Sequence, residues 1–159
     1  KNAKCEFTNI SFAGHGQNLD TGLKIIHNAE NTSSIVNSKS ISKDGGICTF
    51  RSNVHVRKNA TNSSVSLSCE SLMMDSISRS DTIRANTIET DDVSYAHEAT
   101  IGKISDEAIY YLMTRGMSEE DAKSLIVRGF AEPIAKAFPV EYAVEMNRLI
   151  ELELEGTIG

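Results

Sequence analysis

One pattern recurs along the first two thirds of the chain at intervals of about 30 residues, and it constrains the fold more than any other feature. Ser33-Ser34-Ile35-Val36-Asn37-Ser38-Lys39-Ser40-Ile41 can be laid over Ser63-Ser64-Val65-Ser66-Leu67-Ser68-Cys69-Glu70-Ser71. Both can be laid over Asp91-Asp92-Val93-Ser94-Tyr95-Ala96-His97-Glu98-Ala99. Each segment follows another short strand-like run: Leu23 to His27, Asn53 to Arg57 and Asn86 to Thr90. Short strands repeated at a near-constant period, with polar turns between them, predict a β-solenoid whose coils stack in parallel. An antiparallel sandwich also uses short strands. Against it stand the period, the β-branched third residue of each segment (Ile35, Val65, Val93) and the scarcity of tight-hairpin signals, Asp44-Gly45 being the single Asp-Gly pair.

From about residue 104 the composition changes. Ser, Thr, Asn, Val and Ile give way to Glu, Ala, Leu and Met at helical spacing. The division predicts parallel β-helix coils over residues 1–103 and a small helical domain over 104–159. Ser105 reads as an N-cap and Gly116 as a stop, and Ser118 begins a second helix that Gly129 should end. Glu132-Pro133 suits the first turn of a short third helix ended by Pro139, and a last helix runs from Val140 to about Glu155.

A chain of 159 residues with only 6% aromatics and no Trp must build its core from small aliphatic side chains. Its net charge of -6 lacks the concentration of Lys and Arg that phosphate binding needs, so nucleic acid is a poor partner. No run approaches the roughly 18 apolar residues of a membrane span, and the N-terminus has no signal-peptide pattern. The chain opens on Lys1, not Met, as a processed or truncated chain would. Three cysteines, Cys5, Cys48 and Cys69, give neither a disulfide framework nor a zinc motif, so reduced thiols in a cytosolic protein are expected.

On the repeat alignment, Lys39, Cys69 and His97 fall at equivalent positions of successive coils, with Glu70 and Glu98 beside the last two. Cys69 and His97 then share a face, while Glu98 starts on the other and joins them only if the strand bends or ends there. Thiolate, imidazole and carboxylate are the groups that hold iron or a nascent cluster, and a cysteine can also carry sulfur as a persulfide. Lys39 across a coil would lower the thiol pKa. The same residues read equally as a buried inert cysteine, a hydrogen-bonded strand-end histidine, a turn-capping glutamate and a solvated lysine. Cys5 and Cys48 stand alone and read as structural. No Gly-rich phosphate loop is present.

Further runs carry a resemblance. They include Ile10-Ser11-Phe12-Ala13-Gly14-His15-Gly16-Gln17, Ala29-Glu30-Asn31-Thr32-Ser33-Ser34, Cys69-Glu70-Ser71-Leu72 and His97-Glu98-Ala99-Thr100. Leu112-Met113-Thr114-Arg115-Gly116, Ile126-Val127-Arg128-Gly129-Phe130 and Glu141 through Gly156 complete the set. In order and over essentially the whole chain, these runs resemble the SufB/SufD family of iron–sulfur cluster assembly proteins. The glutamate after His97, which SufD members usually lack, favours the SufB branch.

The resemblance implies a right-handed parallel β-helix followed by a small helical domain. It also implies a non-enzymatic scaffold on which an iron–sulfur cluster is transiently assembled, with ligands at Cys69, His97 and Glu98 and supporting roles for Lys39 and Glu70. The implied partners are the SufC ATPase through the helical domain, SufD or a second SufB copy through the β-helix, and a sulfur donor system. The family's sulfur-receiving segment would lie upstream of Lys1. Two rivals remain: a SufD-like interaction subunit that recruits the ATPase without holding a cluster, and an enzyme on a β-helix. The second lacks the acidic cluster or hexapeptide repeat such enzymes show.

Overall fold

The computed structural model describes residues 1–155. Seven strands alternate between two walls, and three helices follow. The strands are β1 (Lys4–Ala13), β2 (Asn18–His27), β3 (Ser33–Ser42), β4 (Ile47–Val56), β5 (Ser63–Met73), β6 (Arg79–Ile88) and β7 (Val93–Lys103). One wall is a four-stranded sheet in the order β1-β3-β5-β7 and the other a three-stranded sheet in the order β2-β4-β6. Every pairing is parallel, as the repeat predicts for a solenoid.

The coil corners explain the turn chemistry. Asn31 and Asn62 hold positive φ at matching corners, a conformation that Asn tolerates better than most side chains. Their side chains bond to each other, Asn62 Nδ2 donating to Asn31 Oδ1 at 2.6 Å, and Asp92 Oδ2 accepts from the Asn62 amide on the next coil. At the opposite corner Asp75 accepts from the Asp44 amide in the same way.

Inside the coils, Val36, Phe50, Val54, Val56, Val65, Leu67 and Cys69 form the apolar core. Toward the corner where β3 and β5 end, the interior turns polar. Ser40, Ser71 and Ser80 hydroxyls close a triangle with edges of 2.8, 3.0 and 2.8 Å. At that level the apolar packing lies outside the wall, where Ile41 is fully buried against Val127, Ala131 and Ile150 of the helices.

The helices are α1 (Asp106–Thr114), α2 (Glu119–Ala137) and α3 (Val140–Glu155). Ser105 and Ser118 cap α1 and α2, their hydroxyls accepting from the Ala108 and Asp121 amides at 3.1 Å. Lys43 donates to the Leu154 carbonyl at 2.8 Å, satisfying one of the last acceptors of α3.

One expectation fails here. Neither Gly129 nor Pro133 breaks the second helix, which runs through both. An internal proline costs about 3 kcal/mol. The continuous helix buries Val127, Ala131, Ile134 and Ala135 on the sheet, and burying an aliphatic side chain of Val or Ile size returns about 1.5–3 kcal/mol. Packing outweighs the propensity. The last residues of the predicted helical domain, including Gly156, lie outside the described residues.

The β2 histidine gives the fold a pH dependence. His27 is buried, with Nδ1 2.7 Å from the Thr32 hydroxyl and Nε2 2.8 Å from the Ser34 hydroxyl. Because Thr32 donates its own proton to the Ala29 carbonyl, it accepts from Nδ1–H, and Ser34 donates to Nε2. Burial holds the ring below its usual pKa of 6.5, so the folded state binds fewer protons than the unfolded chain as pH falls past that value. Stability present above pH 6.5 is therefore lost on acidification. Urea midpoints at pH 7 and pH 5 will show this loss, and His27→Gln will flatten it. An unchanged slope in the variant would assign the effect to another group.

Candidate functional site

The repeat alignment places the strands in the wrong register, and the correction reorganises the site. Ser33 pairs with Ser64 and Ser64 with Ser94, so the first two segments slip by one residue and the next two by two. A one-residue slip turns side chains to the opposite face, whereas a two-residue slip preserves the face. Lys39 consequently pairs with Glu70, not with Cys69. Cys69 stacks on Ser38 and beneath Ala99, and His97 stacks on Leu67. Ile35 misled the alignment, because it lies on the outer face and is 47% exposed, while Val65 points inward.

Cys69 therefore sits on the inner face of β5, only 3% exposed. Burial pushes its thiol pKa up, and the nearby Arg84 guanidinium pulls against that rise. On the column below, Asn9 donates to the Ser38 hydroxyl at 3.3 Å, so the approach to Cys69 from the preceding coils is polar. His97 is half-buried on the same inner face of β7, the last strand of its wall, two positions along from the level of Cys69.

Arg84 is a site residue that sequence reasoning did not find. It points inward from β6, opposite Ser52 of β4, and its Nη1 lies 2.7 Å from His97 Nδ1. A guanidinium only donates, so Nδ1 accepts and the neutral ring carries its proton on Nε2. That Nε2 is buried and has no protein partner. Burial first, and then the Arg84 charge, lower the His97 pKa and keep the ring neutral. The signal for Arg84 was present: β6 offers Thr82, Arg84 and Asn86 where β4 beneath offers Phe50, Ser52 and Val54.

Glu98 lies on the outer face, exposed and level with Ser68. The bend expected there is absent, since β7 continues without interruption to Lys103. Glu98 and His97 thus flank one edge strand from opposite sides. Among the described residues, no three His, Cys, Asp or Glu side chains converge to hold a metal ion.

Lys39 and Glu70 also face outward, under α2. The Lys39 ammonium contacts Glu70 Oε2 at 2.9 Å and sits 4.4 Å above the Phe130 ring. With its side chain 9% exposed, Lys39 joins the helices to the sheet and does not reach Cys69. Lys39→Met keeps the stem against Phe130, and the Glu70 carboxylate it leaves behind is 43% exposed and stays hydrated, so no charge is left buried and unpaired. Its stability should shift by less than about 1 kcal/mol, read from urea midpoints, whereas a loss of about 3 kcal/mol or more would show that the ion pair holds the helices to the sheet.

Cys48 is inert by comparison: its thiol donates to the Ile41 carbonyl and burial pushes its pKa up to about 11. Cys5 is exposed on β1.

Comparison with known proteins shows the family. The family model for the SufBD core domain of the SUF system of FeS cluster assembly matches residues 1–130. The chain belongs to the SufBD family. It is 53% identical over 150 residues to the iron–sulfur cluster assembly protein SufB of Bacillus subtilis, covering 94% of the chain and 32% of that protein. It is 50% identical over 159 residues to a SufBD family protein of Mycobacterium leprae, covering the whole chain and 18% of that protein. With a SufBD family protein of Staphylococcus saprophyticus the identity is 51% over 157 residues, 99% of the chain and 34% of the relative. The chain thus spans about a fifth to a third of the lengths of these SufBD relatives. No helix among the described residues is long and apolar enough to cross a membrane.

Proposed function

We propose that this chain is the cluster-building part of a cytoplasmic scaffold subunit for iron–sulfur cluster assembly. The observation that carries the reading is the end of the solenoid, where Arg84 of β6 meets His97 of β7 and Cys69 lies one strand deeper on the same inner face, close enough for the Arg84 charge to act on its thiol. The Cys69 thiolate takes the outer sulfur of a persulfide on the donor system, the donor's thiolate leaves, and the sulfur is held on Cys69 as a persulfide. Iron is held by Glu98 with help from His97, at the edge of β7. The remaining ligands come from a partner, SufD or a second copy of the subunit, that meets this edge.

The helices supply the means of opening the site. β7 ends at Lys103 and α1 begins at Asp106, with Ile104 buried against Ile109 and Ala122. An ATPase partner of the SufC type, bound to the helices, would pull directly on β7, the strand that carries His97 and Glu98 and covers Cys69. Hydrolysis by that partner reshapes the boundary. The chain itself works as a scaffold and not as an enzyme.

Anaerobic reconstitution of the intact protein with its ATPase and SufD-type partners tests the reading. Visible absorption and bound iron and sulfide report the cluster. Cys69→Ser should fold, form the complex and lose the cluster, whereas a variant that loads normally would overturn the assignment.

A second reading has its own support, because a thiol that is 3% exposed with a burial-raised pKa is also what an inert core cysteine looks like. In that case the chain is a SufD-like interaction subunit. Alkylation of Cys69 in the assembled, nucleotide-cycling complex separates the two, since a permanently packed thiol stays unmodified.

A further inference from the structure

We propose that Arg84 is a positioning residue for His97: it spans the lumen of the last coil, fixes the imidazole tautomer and covers the one free lone pair until cargo displaces it. The inference rests on the scaffold reading only in treating His97 as a ligand.

Three observations meet at this point. Arg84 and His97 come from opposite walls of the same terminal coil, and the 2.7 Å contact between Nη1 and Nδ1 is the cross-lumen bond at that level. Arg84 has donors and no acceptor, so the contact exists only while Nδ1 bears a lone pair. Nε2, the other nitrogen, is buried without a partner and so carries the proton in a place where no carbonyl or carboxylate receives it.

A metal-ligating histidine ordinarily gives its second N–H to a carbonyl or carboxylate, which fixes the ligating nitrogen. Here the orientation is fixed from the other side. Arginine selects the tautomer by occupying the nitrogen that will ligate. Nδ1 is the donor atom, it needs no deprotonation to bind, and it stays covered by a cation that repels a metal ion until the guanidinium swings away. The same charge acts on Cys69. Arg84 thus keeps stray divalent metal from settling at His97 in the empty scaffold.

The test uses the intact protein labelled with 15N-histidine and, as probe, Zn2+ alone. Long-range nitrogen–proton correlation of wild type should show His97 neutral, protonated at Nε2 and bare at Nδ1. Finding the proton on Nδ1 overturns the proposal without any variant having to fold. Arg84→Met, which keeps the aliphatic stem, should let both tautomers populate. It should also tighten Zn2+ binding roughly tenfold, the scale at which residues behind a ligand act. Adding His97→Gln should erase that gain. Unchanged Zn2+ affinity in Arg84→Met, or a gain that survives His97→Gln, overturns the proposal. The Cys69→Ser reconstitution stands apart: if it fails while the tautomer and Zn2+ results hold, the Arg84–His97 lock is real and the scaffold reading is the part at fault.

Discussion

Glu98→Ala should leave the fold untouched, keep sulfur on Cys69 and cut the bound iron at least about tenfold, the low end of what losing a group at a metal site costs. The side chain is exposed on the outer face of an edge strand, and surface substitutions of this kind usually change stability by no more than about 0.5 kcal/mol. Its functional weight comes from its position. It and His97 are adjacent residues on opposite faces of β7, and in the proposed function they would hold iron from either side of the strand edge. Cys69 lies one strand deeper and on the inner side. Sulfur capture and iron capture should therefore separate. Cys69→Ser loses both persulfide and cluster, whereas Glu98→Ala retains persulfide detectable by alkylation and mass spectrometry but no iron. Should Glu98→Ala keep normal iron, the carboxylate would be a turn-side solvated group and the edge-strand site would fall.

The largest effect on stability is expected at Gly46. A Cβ there would sit 2.2 Å from the Ala13 carbonyl oxygen and 2.7 Å from that of Gly14. Both obstacles are backbone, so no rotamer relieves them, and the coils must part where Gly46 passes the end of β1. Gly46→Ala should cost at least about 3 kcal/mol, the upper range for overpacking. For a chain of this size that is a fall in Tm of at least about 6 °C. Gly129→Ala is the internal control. Nothing lies within 4 Å of its virtual Cβ, and it occupies the middle of α2. Alanine should raise stability there by up to about 1 kcal/mol, through helix propensity alone. Equal Tm values for the two variants would mean that the coil contact at Gly46 gives way cheaply.

The repeat made the solenoid legible, because a strand pair every 30 residues has few other solutions. Register was harder to read. β3 is apolar on both faces, with Val36 inside and Ile41 beneath the helices, so alternation alone could not say which face Lys39 takes. That ambiguity moved Lys39 into the site on paper and out of it in space. Cys69 and His97 still share the inner face because their slip was an even number of residues. Arg84 was invisible to a search for metal-binding residue types, since it binds no metal and acts through its neighbour. The stop at Gly129 and the fresh helix start at Glu132-Pro133 were read from local chemistry, and the burial that overrides them is tertiary.

The hydroxyl triangle of Ser40, Ser71 and Ser80 changes what counts as the hydrophobic centre of this protein. Along the stretch of wall it occupies, the coils enclose hydroxyls and the oily side of β3 is the outer one, roofed by Val127, Ala131 and Ile150. The helices are thus half of a sandwich whose other half is a strand surface, and neither half is wet on that face in the native state. Stripping them away would leave Ile41 and Phe12 facing water over a polar lumen. Strand ends and helices should consequently melt as one cooperative unit. A force that lifts the helices is then felt first where β7 meets α1, at the exit from the last coil.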